Sequence, residues 1–236
     1  VNPVINDGNG VAMPLPGFAR SNIEISIPSG PSTATDQSGM ALLRSVVPGP
    51  TLLTLSGGGS SGQLSIALEE RDLREIAISL DNGAREMASV LYAFGGQMVE
   101  VSPSMSAAEV NAELAKSNLM VFFRSGTYVG DLTFAGSNVT LFGEGPAGGE
   151  VTLAGNVTVT GSRNRMRGVR VTGNLSVSAS DFGMSFSRVA GAFQLSGSGA
   201  VLLGNAFCGA TTFTGSGARL LGNAGLSPIP RSAGNC

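Results

Sequence analysis

Through the second half of the chain, apolar residues fall at alternate positions in short Val/Leu/Phe/Thr-rich runs separated by glycine, serine and asparagine. One phrase fixes the register. Residues 196–206, SGSGAVLLGNA, return eighteen positions later as TGSGARLLGNA at 214–224, changed only at Ser196/Thr214 and Val201/Arg219. Carried backwards, the same step aligns Gly155, Gly173, Gly191 and Gly209. It also aligns four apolar columns: Val157/Leu175/Phe193/Thr211, Val159/Val177/Leu195/Phe213, Met166/Met184/Leu202/Leu220 and Val171/Val189/Phe207. Alternation of this kind is strand spacing, and a self-similar period near twenty residues marks a solenoid in which each repeat is one coil. The pattern predicts a parallel β-helix. A left-handed hexapeptide coil needs an aliphatic residue every sixth position, but stepping by six from Val157 meets Arg163, Asp181, Ser187, Gly199 and Asn205. A right-handed coil with unequal faces is therefore expected. A disordered Gly/Ser tract would hold no register between apolar residues.

The earlier half is patterned differently. Residues 1–17 mix Pro, Gly and Asn without periodicity and read as a flexible leader or tether. Residues 18–81 carry short alternating runs such as Ile23–Ile27, Gln63–Leu68 and Leu73–Leu80, which predict a small β-sandwich. In 82–96, Met87, Val90, Leu91 and Phe94 stand at helical spacing and predict a connecting helix. Residues 97–236 form the β-helix, entered through a cap helix at 106–117. There Ser106 and Glu109 make a capping box, and Val110 and Leu114 share one face. Val151 and Leu153 match Val169 and Val171 only if residues 143–149 are extra. The coil from Gly130 is then twenty-five residues long, with a protruding loop. Such loops are either binding elements or harmless elaborations.

Two stretches resemble known families. Thr35, Asp36, Gly39, Pro48, Gly49 and Gly57 follow a Thr-Asp turn, glycine, strand, Pro-Gly turn and strand order. That order is similar to the carboxypeptidase-regulatory-like and transthyretin-like β-sandwiches, which implies a stalk or spacer without catalysis. After the cap helix and a strand at Leu119–Phe123 come Gly126-Thr127-Tyr128 and Leu141-Phe142-Gly143-Glu144-Gly145. These resemble the entry of the pectin-lyase-like right-handed β-helices, with the likeness extending over residues 100–226. That superfamily includes lyases, hydrolases, tailspikes, adhesins and inert scaffolds, so the resemblance bears on fold and not on activity. The fold class expected is all-β: a short right-handed parallel β-helix with an N-terminal cap helix, preceded by a small β-sandwich.

Composition narrows the chemistry. With no histidine among 236 residues, a Ser-His-Asp triad, a Cys-His pair and a histidine metal site are excluded. A net charge of −2 supplies no basic field for nucleic acid. No apolar run is long enough to span a membrane as a helix. Glycoside hydrolysis needs two carboxylates across one cleft. Beyond the cap helix, the acids Asp131, Glu144, Glu150 and Asp181 put no two in one column at adjacent rungs. No catalytic residue, metal or cofactor is expected. Tryptophan is absent, and Tyr92 and Tyr128 stand in contexts that predict burial, against a neutral-glycan lectin.

The run SRNRMRGVR carries Arg163, Arg165, Arg167 and Arg170, with Arg188 stacked on Arg170 and Arg163 beside Asp181 in the eighteen-residue register. The arginines are expected to face solvent. They read either as a solvated turn with one Arg163–Asp181 ladder pair or as a patch for an anionic partner, through bidentate hydrogen bonds. Asn205 and Asn223 occupy one turn position in consecutive coils, where an amide ladder is expected. Cys208 and the final Cys236 suit a disulfide stapling the tail over the open end, and with it an oxidising compartment, or else two unrelated thiols. The chain opens without a methionine or a basic-plus-apolar leader, which fits a processed product.

The function expected is a non-catalytic extracytoplasmic bacterial surface or periplasmic structural or interaction protein, lipid-anchored if a lipobox cysteine lies upstream of Val1. Its partner would be a protein or an acidic glycan at the cell surface. The alternative is a polysaccharide-active or acidic-glycan-binding β-helix protein.

Overall fold

The computed structural model describes residues 22–35, 48–68, 73–80, 83–92, 97–143 and 150–225, together with the strands Val4–Asn6 and Ala12–Pro14 and residues 41, 43 and 46. From Gln97 onward the chain winds as a β-solenoid of about seven turns with three parallel faces. The first face stacks seven strands: Gln97–Val101, Leu119–Phe123, Val139–Gly143, Arg165–Arg167, Gly183–Ser185, Val201–Leu203 and Arg219–Leu221. The second stacks Gly126–Val129, Val151–Ala154, Val169–Val171, Arg188–Val189 and Ala206–Phe207. The third stacks Leu132–Phe134, Val157–Val159, Leu175–Val177, Phe193–Leu195 and Thr211–Phe213.

The four apolar columns are columns of the structure. Val157, Leu175, Phe193 and Thr211 are successive register partners, as are Val159, Val177, Leu195 and Phe213. Met166, Met184, Leu202 and Leu220 do the same on the first face, and Val171, Val189 and Phe207 on the second. Together they fill one continuous core reaching from Val101 to Leu220, in which Phe193 stacks on Phe207 at 4.6 Å. Full burial of each such side chain contributes about 1.5–3 kcal/mol. The glycine column has a steric cause. Gly173 N donates to Gly155 O and Gly191 N to Gly173 O, both at 3.1 Å. A Cβ on Gly173 or Gly191 would lie 2.4 Å from the carbonyl oxygen beneath it, so only glycine lets the rungs close at this corner.

The long coil is present as expected: Leu132 pairs with Val157 across twenty-five residues, whereas Val157 pairs with Leu175 across eighteen. Val151 and Leu153 do pair with Val169 and Val171. Glu144 and the rest of the insertion lie outside the described residues, apart from Gly143, which ends a first-face strand.

The cap helix is Ala107–Leu114, shorter than 106–117 because Ala115 already serves as its C-cap. Both halves of the capping box form: Glu109 N donates to Ser106 Oγ at 3.3 Å, and Ser106 N donates to Glu109 Oε2 at 2.7 Å. The Ser106 N–H and its hydroxyl both donate to Glu109 Oε2, and together they hold the exposed Glu109 carboxyl below its ordinary value. Val110 and Leu114 plug the end of the core.

Upstream, Ser32–Ala34, Glu24–Ser26, Gly49–Gly57 and Ser60–Leu68 form a four-stranded antiparallel sheet around Ile23, Leu53, Leu55 and Ile66. Two expectations are corrected. The segment 82–96 holds no connecting helix over its described residues. Arg85–Tyr92 is a strand paired antiparallel with Leu73–Ser79, and Ala88, Val90 and Tyr92 are buried in strict alternation. The alternating set is satisfied by packing on the solenoid, and that tertiary gain outweighs the helical spacing of Met87, Val90 and Leu91. The leader also contains local structure: Val4–Asn6 pairs antiparallel with Ala12–Pro14.

Candidate functional site

The arginine run is split by a corner of the solenoid. Arg163 sits in the turn before the first face, and Arg165 and Arg167 are the outward residues of a first-face strand. Gly168, at φ 67°, then turns the chain so that Arg170 points outward from the second face. Arg170 and Arg188 are register partners one rung apart, as the repeat requires. The five arginines therefore form three small groups and not one patch. The expectation of solvent-facing side chains is corrected as well: Arg165, Arg167, Arg170 and Arg188 are all half-buried, and only Arg163 is exposed.

Three of the half-buried arginines are engaged differently. The Arg167 guanidinium lies 4.9 Å from the Phe142 ring centre and 5.6 Å from that of Phe186, a cation–π sandwich. Phe142 stacks on Phe122 at 6.2 Å, and Arg124 covers Phe122 at 5.4 Å. Arg170 meets Glu150 at 3.5 Å, while its Nε is buried without a hydrogen-bond partner. Arg165 is covered by the Leu73–Tyr92 hairpin. Its Nη1 donates to the carbonyl oxygens of Asn164, at 3.1 Å, and of Asp181. Desolvation pushes its guanidinium below the usual value, opposed by the nearby Tyr92 and Asp181.

Arg163 and Asp181 do stand one rung apart, with Arg163 N donating to Ser180 O at 2.9 Å. They do not form the expected ladder pair: among the described residues, no ion pair joins them. Both backbones are left-handed, Arg163 at φ 57° and Asp181 at φ 55°. At the same turn the other coils place Asn118, Asn138, Gly199 and Gly217, also left-handed. For an ordinary L-residue this conformation costs about 1–2 kcal/mol, which glycine and asparagine largely escape. Two charged residues thus occupy a turn where the rest of the column uses Asn or Gly. Both line a cleft of about 230 Å³ between the hairpin and the first face, with Arg165, Ser89, Gly183 and Val201.

Asp131 opens a rung-to-rung ladder. Asp131 Oδ1 accepts from Asn156 N at 2.7 Å, Asn156 Oδ1 from Asn174 N at 3.0 Å, and Asn174 Oδ1 from Ala192 N at 2.8 Å. The sequence signal for this exposed ladder is the eighteen-residue spacing of Asn156 and Asn174, which the apolar columns do not include. The foreseen ladder is buried. Asn205 N and Nδ2 donate to Asn223 Oδ1 at 2.9 and 3.0 Å, and Ser187 N donates to Asn205 Oδ1 at 3.0 Å. Its left-handed residues are the preceding Gly204 and Gly222, not the asparagines. Tyr92 and Tyr128 are buried, with the Tyr92 hydroxyl on Ser185 Oγ and the Tyr128 hydroxyl donating to Val101 O and Arg124 O at 2.9 Å.

Among the described residues, no three His, Cys, Asp or Glu side chains gather as metal ligands, and no helix is long and apolar enough to cross a membrane. Cys208 is half-buried beside the second face, and its expected partner Cys236 lies outside the described residues. In comparison with known proteins, no family model, no curated protein and no solved structure matches the chain.

Proposed function

We propose that this protein is a non-catalytic, extracytoplasmic structural or interaction module, a solenoid that presents its outer faces to a protein or acidic-glycan partner at a bacterial cell surface. In this reading it works as the inert scaffolds and adhesins among the pectin-lyase-like β-helices do. The N-terminal antiparallel sheet serves as a spacer of the carboxypeptidase-regulatory-like, transthyretin-like kind.

The observation that carries it is the use made of the described solenoid acids. Asp131 anchors the asparagine ladder and Glu150 is paired with Arg170. Asp181 stands beside Arg163 and Arg165, without a second carboxylate among the described residues that line the cleft. A glycoside-cleaving site needs two acids facing one bond, and a lyase needs a cation-supported base beside its substrate's acid group. Here the carboxylates brace rungs or stand singly. The test is incubation of the full chain with polygalacturonate, alginate, hyaluronate and chondroitin, following new reducing ends and unsaturated uronate absorbance. No turnover is expected on any of them, and turnover above a heat-inactivated control on any one overturns the reading.

A further inference from the structure

We infer that the cleft between the hairpin and the first face is an oxyanion-binding site, in which Arg163 and Arg165 hold a phosphate or sulfate group. The hairpin strand Arg85–Tyr92 crosses the outside of the first face, and Ser89 and Val90 form one wall of the cleft. The solenoid supplies the other through Arg163, Arg165, Asp181 and Gly183. Among the described residues lining the cleft, two guanidiniums face one carboxylate, an arrangement that favours an oxyanion. Arg165 is fixed by its two carbonyl contacts and sheltered by the hairpin, so the anion would meet a guanidinium already oriented and partly out of water.

The backbone at the rim points the same way. Among the described residues Arg163 has no side-chain hydrogen-bond or ion-pair partner, yet it holds a left-handed turn that Asn118, Asn138, Gly199 and Gly217 occupy with less strain. Structure gains nothing visible from arginine there. Strain of this kind, held where the side chain lines a cleft, is the mark of a residue placed for a ligand. The site lies outside the scaffold reading: turnover found elsewhere would sink that reading and leave this one standing.

The experiment measures the thermal midpoint of the full chain in rising inorganic phosphate, and separately in a heparin oligosaccharide, against chloride at matched ionic strength. Chloride-matched controls matter because phosphate stabilises proteins generally. The wild type is expected to rise saturably with at least one probe. A response to phosphate makes the ligand a free ion, and a response to heparin alone places the group on a polymer. Arg163→Asn puts into the turn the residue used in the two preceding coils. It is expected to start about 2 °C or more above wild type, through relief of the strain, and to lose the saturable rise. Lys116→Gln, on an exposed residue at the cap helix that does not line the cleft, is expected to keep it. The proposal is overturned if neither probe shifts the wild type beyond chloride, or if Arg163→Asn responds as the wild type does.

Discussion

Asn205 and Asn223 lie one rung apart with their amides sealed from solvent, 2% and 3% exposed, whereas Asn156 and Asn174 keep the same spacing on the open side of the coil. The hydrogen bonds are alike in length, so burial decides what each is worth. Replacing Asn205 by alanine leaves Ser187 N–H without its acceptor inside a dry turn, and an orphaned buried donor costs about 1–3 kcal/mol before the lost amide bonds are counted. Replacing Asn174 by alanine frees Ala192 N–H to bind water, at a cost of about 1 kcal/mol or less. Denaturant unfolding of the two variants should therefore separate them, with Asn205→Ala losing at least twice as much. Equal losses would mean that the buried turn is wet. The same logic explains why the arginines were misplaced by sequence. Alternation correctly made Arg165, Arg167, Arg170 and Arg188 outward residues of their strands, but it does not reveal that Arg165 lies beside the hairpin or that Arg167 lies against Phe142 and Phe186.

What covers the first face is the hairpin Leu73–Ser79 and Arg85–Tyr92, and here sequence reading reached its limit. Eighteen-residue repeats state their own register, so every column named from the pattern is a column of the fold. A strand that occurs once has no second copy to confirm its period, and over eight residues apolar positions can satisfy both periodicities. Val90 and Tyr92 pack with Leu203 and Leu221 in one cluster, while Ile76 and Ile78 pack with the antiparallel sheet in another. The docking depends on Gly183, where a Cβ would fall 2.5 Å from Arg165 Cδ and 2.8 Å from Val90 Cγ1. Gly183 is not left-handed, so Gly183→Ala tests contact and not backbone strain. Hydrogen exchange should show protection falling over residues 85–92 while the third face keeps its own. Uniform loss, or none, would place the hairpin elsewhere.

At the scale of the molecule three apolar clusters run in series: the sheet, the seam and the solenoid core. The helix Ala107–Leu114 closes the solenoid core at its N-terminal end, through Val110 and Leu114. At the other end the last third-face strand is looser, its Thr211 and Phe213 only half-buried where the matching residues one rung earlier, Phe193 and Leu195, are sealed. Solenoids unfold most readily from a loosely packed terminal repeat, because each coil is held mainly by its neighbours. A Cys208–Cys236 bridge would fasten the tail to the penultimate coil and close a loop worth about 3–4 kcal/mol in the chain-entropy model. It would also require an oxidising compartment, which links this covalent question to the extracytoplasmic reading. Peptide mapping of the freshly isolated protein without reductant should recover the two cysteines in one linked peptide. Reduction should lower the thermal midpoint and release protection first over residues 206–221, with the helix end unchanged. Two alkylatable thiols in unreduced protein would remove both the staple and the argument it lends to an extracytoplasmic location.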